Sequence, residues 1–151
     1  MGVAATETDE LSTAFPFLTD PEREQLLPFL ESRQWQAGEV VMAGDELPDV
    51  MGFLASGKLA VKKETGFPGR FILLALLESG SMVAEHAMVD PGPRKALLVA
   101  MEDSRLLLLS RTNLERIALA HPSLALKIFR RIILVLGHRL RGASERLARL
   151  L

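Results

Sequence analysis

The sequence predicts a mainly β fold, an antiparallel roll or sandwich with helices on its flanks. Between Gln34 and Ser110 the chain alternates short β-type runs with turns, most of them glycine-containing, at a spacing of roughly eight to twelve residues. That spacing favours antiparallel pairing over the strand–helix–strand units of a parallel sheet. From Thr112 onwards the apolar period becomes helical. The predicted runs are Gln34–Gln36, Val40–Met42, Val50–Ala55, Lys58–Lys63, Arg70–Leu77, Lys95–Ala100 and Arg105–Leu109.

The N-terminal part is expected to hold a flexible segment followed by a helix. Residues 1–14 are polar, which predicts a flexible terminus. The sequence Thr19-Asp20-Pro21-Glu22 then marks a helix start, with Asp20 as the N-cap and Pro21 at the first helical position. We therefore divide the chain into a flexible N-terminus (1–14), a β-roll with its N-terminal and short helices (15–121) and a C-terminal helix (122–151).

The composition of the 151 residues excludes several classes of protein. The formal net charge is −1, so no overall basic field attracts nucleic acid or a membrane surface. Cysteine is absent, which excludes disulfides, thiolate-bound iron–sulfur clusters and a cysteine nucleophile. The N-terminus does not resemble a signal peptide, and the apolar run Ile132–Leu136 is far too short to cross a membrane. We expect a cytoplasmic domain with no membrane contact.

The stretch from Gly80 to Ala100 is the most informative part of the chain. It places a carboxylate, Glu85, nine positions before a guanidinium, Arg94. The segment between them has room for one or two helical turns and is closed by Pro91-Gly92-Pro93. A carboxylate accepts hydrogen bonds from sugar hydroxyls, while a helix N-terminus and a forked guanidinium bind phosphate. This arrangement suits a phosphorylated sugar.

The C-terminal helix carries a heptad seam. Its apolar residues follow one another in steps of three and four through more than three heptads, a pattern that predicts a coiled coil. A second apolar face occupies only the first half of the helix. We therefore expect the first half to pack on the roll and the seam to form a parallel homodimer. The seam residues are Leu126, Phe129, Ile133, Leu136, Leu140, Ala143, Leu147 and Leu150.

Together these features resemble the cyclic nucleotide-binding domain of the catabolite activator protein (cyclic-AMP receptor protein) family. The resemblance covers about Phe15 to Leu151. Trp35 to Val61 resembles the family's opening strands with their two glycine turns, Gly80 to Ala100 its phosphate-binding cassette, and His121 to Leu147 its dimerising helix. The resemblance implies a double-stranded β-helix, a jelly-roll-like β-roll with an N-terminal helix, a short cassette helix and a long C-terminal dimerisation helix.

The resemblance also implies roles for individual residues. The acid matching Glu85 takes the ribose hydroxyl, the arginine matching Arg94 pairs with the cyclic phosphate, and backbone amides complete the phosphate cradle. On the long helix Ser144 or Arg139 is expected near the purine, across the dimer. The cradle amides are those of Ala84, Glu85, His86 and Ala87.

The implied function is a dimeric sensor that signals through its C-terminal helix to a partner protein or a missing output domain. Family members continue from this helix into a helix-turn-helix that contacts DNA, whereas this chain stops at Leu151. We expect no direct DNA binding by the chain.

Three positions depart from the family pattern. Ala84 stands where the family has glycine, and an alanine there is strained if the backbone needs a positive φ. Lys95 replaces a small residue after Arg94, and Leu97 replaces a common threonine. Without a hydroxyl after Arg94, cyclic AMP is favoured over cyclic GMP. Lys95 either blocks the phosphate or adds a second cation for a larger anion such as a cyclic dinucleotide.

Several alternatives stay open at this point. Glu85 and Arg94 can be a structural ion pair in a degenerate domain that no longer binds nucleotide and serves dimerisation or protein contact. His86 can ligate haem, as in some relatives, although no second ligand is evident. No serine has an evident histidine–acid partner and no metal-spaced cluster exists in the sequence, so we expect neither enzymatic activity nor a metal or other cofactor.

Overall fold

A computed structural model of the chain describes residues 5–43, 49–89 and 96–151, with the side chains from residue 8 onwards. The described residues form eight strands in two four-stranded antiparallel sheets, with four α-helices around them and short 3₁₀ helices at Leu27–Phe29 and Glu85–Met88. The helices are α1 (Ala5–Ala14), α2 (Asp20–Leu26), α3 (Arg111–Ala120) and α4 (Pro122–Leu150). The strands are β1 (Leu30–Trp35), β2 (Val40–Met42), β3 (Val50–Ser56), β4 (Lys58–Glu64), β5 (Phe71–Glu78), β6 (Met82–Val83), β7 (Ala96–Ala100) and β8 (Ser104–Ser110).

This architecture confirms the predicted fold class, mainly β with flanking helices. The first sheet has the order β1-β8-β3-β6 and the second β2-β7-β4-β5, so consecutive strands lie in different sheets, except β4 and β5, which pair with each other. Strands β3 and β4 are joined by the tight turn at Gly57, whose φ is +97°. A Cβ at Gly57 would lie 2.2 Å from Oγ of Ser104, so both the conformation and the space require glycine.

The N-terminal segment differs from the sequence expectation. Residues 5–14, expected to be flexible, form α1, and Leu11 and Ala14 are buried. Tertiary packing on the first sheet therefore orders a segment whose composition alone is polar. The next helix begins as expected, but its N-cap is Thr19 and not Asp20, with a capping box to Glu22.

The core has two layers separated by the first sheet. Alternate residues of β8 point to opposite sides, as the pleat of a strand requires. Leu107 and Leu109 face the helices, while Leu106 and Leu108 face the second sheet. The first sheet is therefore covered on one face by helices and on the other by the second sheet.

Helix α4 packs on the roll only through its first half. Leu124, Ala125, Ile128 and Ile132 are buried in the helix-side layer, and from Leu136 onwards nearly every residue is exposed. This confirms the predicted division of the helix into a packed first half and an unpacked remainder. No helix among the described residues is long and apolar enough to cross a membrane.

An ion pair fixes the first half of α4 to the start of α2. Nζ of Lys127 lies 2.8 Å from Oε1 of Glu22, and the same oxygen accepts a hydrogen bond from the backbone N–H of Thr19 at 2.9 Å. The hydrogen bond from Lys127, followed by that from Thr19, lowers the pKa of Glu22 to about 2. The carboxylate is therefore stabilised in its charged form in the folded state.

We predict that Glu22→Gln lowers the free energy of unfolding by about 1 kcal/mol at neutral pH, because Lys127 is partly exposed and the pair is screened by solvent. A lowered folded-state pKa contributes stability that is fully present above the ordinary value of 4.5 and is lost as the pH falls towards 2. Urea unfolding at several pH values should therefore show the difference between wild type and variant shrinking below pH 4.5. Glu24→Gln, an exposed position of the same helix, is the control and should change little. A pH-independent difference would contradict this account.

Candidate ligand-binding site

The candidate site begins at a strained turn after β6. Ala84 has φ 58° and ψ 30°, and it is the one residue other than glycine with a positive φ in the described part of the chain. Residues Glu85–Met88 then form one turn of 3₁₀ helix, and the side chains of Ala87 and Met88 are buried in the helix-side core. The left-handed residue therefore redirects the chain so that Glu85 and His86 are presented beside the roll.

Glu85 is held by a residue from the middle of α4. Nη1 of Arg139 lies 2.5 Å from Oε1 of Glu85, and Nη2 donates to the carbonyl oxygen of Met82 at 2.6 Å. The Glu85 side chain is 11% exposed and that of Arg139 is 40% exposed. The two terminal nitrogens of the guanidinium thus tie the acid and the start of β6 to the helix at the same time. No hydrogen bond to Oε2 of Glu85 is present within the described residues.

These residues border a cavity of about 190 Å³ between the second sheet and α4. One wall is polar, with Glu85, His86 and Arg139. The rest is mainly apolar and comes from strands of both sheets. The lining residues are Val61, Leu77, Met82, Val83, Ala84, Glu85, His86, Ala96, Leu98 and Arg139. An apolar cleft with a few converging polar groups is typical of small-molecule sites.

The structure brings together four of the residues expected at the site. Ala84, Glu85, His86 and Arg139 all line the cavity. Arg139, however, contacts Glu85 of the same chain. The resemblance had led us to expect Ser144 or Arg139 near the purine bound by the other protomer of a dimer.

The other expected residues fall into two groups. Arg94 and Lys95 lie outside the described residues, as do the other residues between 90 and 95, while Ala87 and Ser144 are described and do not line the cavity. Ala87 is buried in the core and its N–H donates to the carbonyl of Ala84 at 3.1 Å, so this amide closes the turn and does not face the cavity. Ser144 is exposed on α4 and does not line the cavity of its own chain.

Sequence reasoning missed the apolar walls. Val61, Leu77 and Leu98 come from β4, β5 and β7, three strands that are neighbours in the second sheet. The period of two along each strand indicates which residues share a face, but it does not show which of these faces encloses a cavity. Leu97, singled out in the sequence, does not line the cavity, while the next residue, Leu98, does.

A larger cleft of about 460 Å³ lies at the turns beside Trp35 and Ser104. Its two carboxylates are used by the turns themselves. Glu39 accepts from the N–H of Gln36 at 2.7 Å, and Asp103 accepts from the N–H of Ala37 at 2.9 Å. These acids stabilise loops, so the smaller cavity is the better candidate. Among the described residues no group of three metal-ligating side chains exists.

The chain belongs to the cyclic nucleotide-binding domain family, because the model of that family matches residues 32–121. The match includes the strained turn at Ala84 and the acid Glu85. The family is regulatory, and it is not a family of enzymes. The described residues hold no helix-turn-helix after α4, which ends at Leu150.

Individual relatives agree with this assignment. The cyclic AMP receptor protein of Thermus thermophilus is 30% identical over 125 residues, which make up 80% of this chain and 57% of that protein. The crystal structure of the Thermus thermophilus catabolite activator protein is 29% identical, with a TM-score of 0.75, and the match covers 92% of this chain and 63% of that one. A cyclic nucleotide-binding domain from Methylobacillus flagellatus, 20% identical, has a TM-score of 0.83 and coverage of 94% and 83%, which shows a shared fold.

We predict that Ala84→Gly raises the free energy of unfolding by about 0.5–1 kcal/mol, because glycine adopts the left-handed conformation without the Cβ penalty. Thermal and urea unfolding measure this difference. Ala87→Gly, in the following turn and without a positive φ, is the control and should lower stability. A neutral or destabilising effect of Ala84→Gly would show that the turn is not strained.

Proposed function

We propose that the chain is a cyclic-nucleotide sensor module that binds its ligand in the cavity beside Glu85 and signals through α4. The observation that carries the proposal is the contact of Arg139 with Glu85, because it joins the site to the helix in a single ion pair. The proposal is supported by family membership and by the cavity's mixture of apolar walls and one carboxylate.

In this proposal the two oxygens of Glu85 have separate tasks. Oε1 stays with Arg139, which holds the carboxylate in place, and Oε2 accepts hydrogen bonds from ribose hydroxyls. Apolar side chains of β4, β5 and β7 enclose the rest of the nucleoside. Arg94, followed by Lys95, supplies the positive charge for the cyclic phosphate.

Cyclic AMP is the ligand that we favour. The position after Arg94 is Lys95 and offers no short hydroxyl for guanine. The Thermus thermophilus relative, 30% identical, carries cyclic AMP in its name.

Signalling requires the ligand to favour one arrangement of α4 over another. A ligand that hydrogen-bonds to Oε2 of Glu85 favours the position of the carboxylate in which Oε1 contacts Arg139. Since Arg139 lies in the unpacked part of α4, this preference is transmitted to the surface that a partner contacts. We therefore assign Arg139 to coupling between site and helix.

The partner surface is the heptad seam, and we propose that it pairs with a second copy of the chain. The seam's large side chains, from Leu126 to Leu150, are 37–83% exposed. A row of leucines exposed along one helix is stabilised when a parallel copy covers it. The homodimer would then respond to nucleotide and act on a partner protein or an output domain.

We predict that titration calorimetry detects binding of cyclic AMP and weaker binding of cyclic GMP. Arg94→Ala should weaken binding by about 10- to 100-fold, because it removes a charge-assisted contact to the phosphate. Arg33→Ala is the matched control. Arg33 lies on β1, pairs with Glu31 and is distant in sequence from the segment Gly80–Ala100. Absence of heat from either nucleotide up to millimolar concentration would contradict nucleotide sensing.

We predict that Leu136→Lys combined with Leu140→Lys yields monomers in analytical sedimentation, because two lysines per chain would be buried at the seam. Leu119→Lys is the control, since Leu119 lies on α3 and is 88% exposed. A dimer that persists in the double variant would show that the seam is not the interface.

One observation favours a second function, a domain that has lost nucleotide binding and serves dimerisation or protein contact. The cavity of about 190 Å³ is smaller than a usual ligand pocket of roughly 300 Å³ or more, and Arg139 is part of its lining. This alternative expects no calorimetric signal and expects Arg94→Ala to leave partner binding unchanged.

A further inference from the structure

A groove of about 220 Å³ lies between the first half of α4 and the segment that joins α1 to α2. Its lining combines apolar surface with three cationic side chains. One lining residue comes from the joining segment, and the others recur with the helical period on one face of α4. None of them lines the cavity beside Glu85. The lining residues are Phe17, Lys127, Arg130, Arg131 and Leu134.

Two of the three cations in this groove are not neutralised by the described residues. Lys127 is paired with Glu22 at 2.8 Å. Arg130 and Arg131 have no acidic partner in the described part of the chain. Cζ of Arg131 lies 5.2 Å from the ring centroid of Phe17, a cation–π contact that holds this guanidinium at the groove. The groove therefore presents two positive charges beside apolar surface.

The charge of the whole chain is unevenly distributed. Seven of its 18 Lys and Arg residues, but one of its 19 Asp and Glu residues, lie between positions 122 and 151. The remaining sequence is acidic, although the formal net charge of the whole chain is −1. Long-range electrostatic attraction therefore directs an anionic partner to α4 and away from the roll.

The groove stays open in the homodimer proposed above. Arg131 and Leu134 take outer positions of the heptad, whereas Phe129 and Ile133 take the inner positions that form the seam. Leu134 is 49% exposed in the single chain. The groove is therefore accessible to another protein whether or not the seam is paired.

We propose that this groove binds an acidic segment of a partner protein that carries one large apolar side chain. The apolar side chain lies between Phe17 and Leu134, and neighbouring carboxylates pair with Arg130 and Arg131. Forked guanidiniums suit carboxylates, and an apolar side chain surrounded by such pairs is typical of the centre of a protein interface. The inference goes beyond the proposed function, because the groove is separate from the nucleotide cavity and requires no nucleotide.

Two other anionic partners match the groove less closely. Arg131 lies over the ring of Phe17 and Phe15 packs against it edge-on, with ring centroids 6.2 Å apart, so the ring has little free face for stacking on a nucleic-acid base. An anionic membrane would be repelled by the acidic remainder of the chain. A peptide with carboxylates and one apolar side chain satisfies both the cations and the apolar floor.

The test uses an array of short synthetic peptides that combine several Asp or Glu residues with one Leu, Phe or Trp, at strand and helix spacings. We expect such peptides to bind the full chain in fluorescence anisotropy, and we expect binding to weaken as salt is added. Peptides with Ala in place of the apolar residue, or with Asn and Gln in place of the acids, should bind about tenfold more weakly or worse.

Substitutions in the groove test where the peptides bind. Arg130→Glu and Leu134→Glu, both at exposed positions, should each weaken binding by about tenfold or more. Arg141→Glu is the matched control, since Arg141 is an exposed arginine of the same helix outside the groove. This control should change binding by about twofold or less, because a distant exposed charge contributes little.

A cross-link locates the peptide independently of these substitutions. Because the chain has no cysteine, Leu134→Cys can be labelled at one place with a benzophenone maleimide. We expect this variant to cross-link the bound peptide on illumination. Leu119→Cys, at a position that is 88% exposed on α3, is the control and should not.

Three results overturn the inference. The first is that no peptide of the array binds the wild-type chain. The second is that a DNA duplex or phosphatidylglycerol vesicles bind at the groove and the peptides do not, which assigns the groove to another class of partner. The third is that Arg130→Glu and Arg141→Glu weaken peptide binding equally, which shows attraction to the charge of α4 as a whole. Calorimetry with cyclic AMP decides nucleotide sensing separately, so either proposal can fail without the other.

Discussion

The ion pair between Glu85 and Arg139 is the contact on which the proposed function depends. It joins a single helical turn after β6 to the point at which α4 leaves the roll. Glu85 is largely buried, so its charge needs a partner, and the fork of Arg139 satisfies both this carboxylate and the carbonyl of Met82. In the proposed function, the same contact positions the acid for a sugar and fixes the helix beside the cavity, so that a change at either end is transmitted to the other.

The rest of the fold holds the two ends of this contact in place. On one side, the buried side chains of Ala87 and Met88 anchor the turn that presents Glu85. On the other side, the buried face of α4 and the pair of Lys127 with Glu22 anchor the first half of the helix. Beyond Arg139 the helix has no such support from the described residues, and in the proposed function this exposed end is the part that responds to the ligand.

Local chemistry made much of this predictable from sequence. The spacing of the turns and the change to a helical period after Thr112 predicted the order of the elements, and the two faces of α4 were distinguished by period alone. The strain at Ala84 followed from one missing glycine and is present as φ 58°. Contacts that depend on topology were not predictable. Helix α1, the apolar cavity walls and the partner of Arg139 bring together residues far apart in the chain, for example Glu85 and Arg139, which are 54 positions apart.

The most direct test of the central claim is the linkage between nucleotide and dimer. Sedimentation equilibrium gives the dimer dissociation constant with and without saturating cyclic AMP. It is measured for wild type, for Arg139→Ala and for the control Arg141→Ala, since Arg141 is an exposed neighbour of Arg139 on α4. The account predicts that cyclic AMP changes the constant by about fivefold or more in wild type and Arg141→Ala. In Arg139→Ala the change should vanish, although calorimetry still detects binding. An equal change in all three proteins would contradict coupling through the Glu85–Arg139 pair.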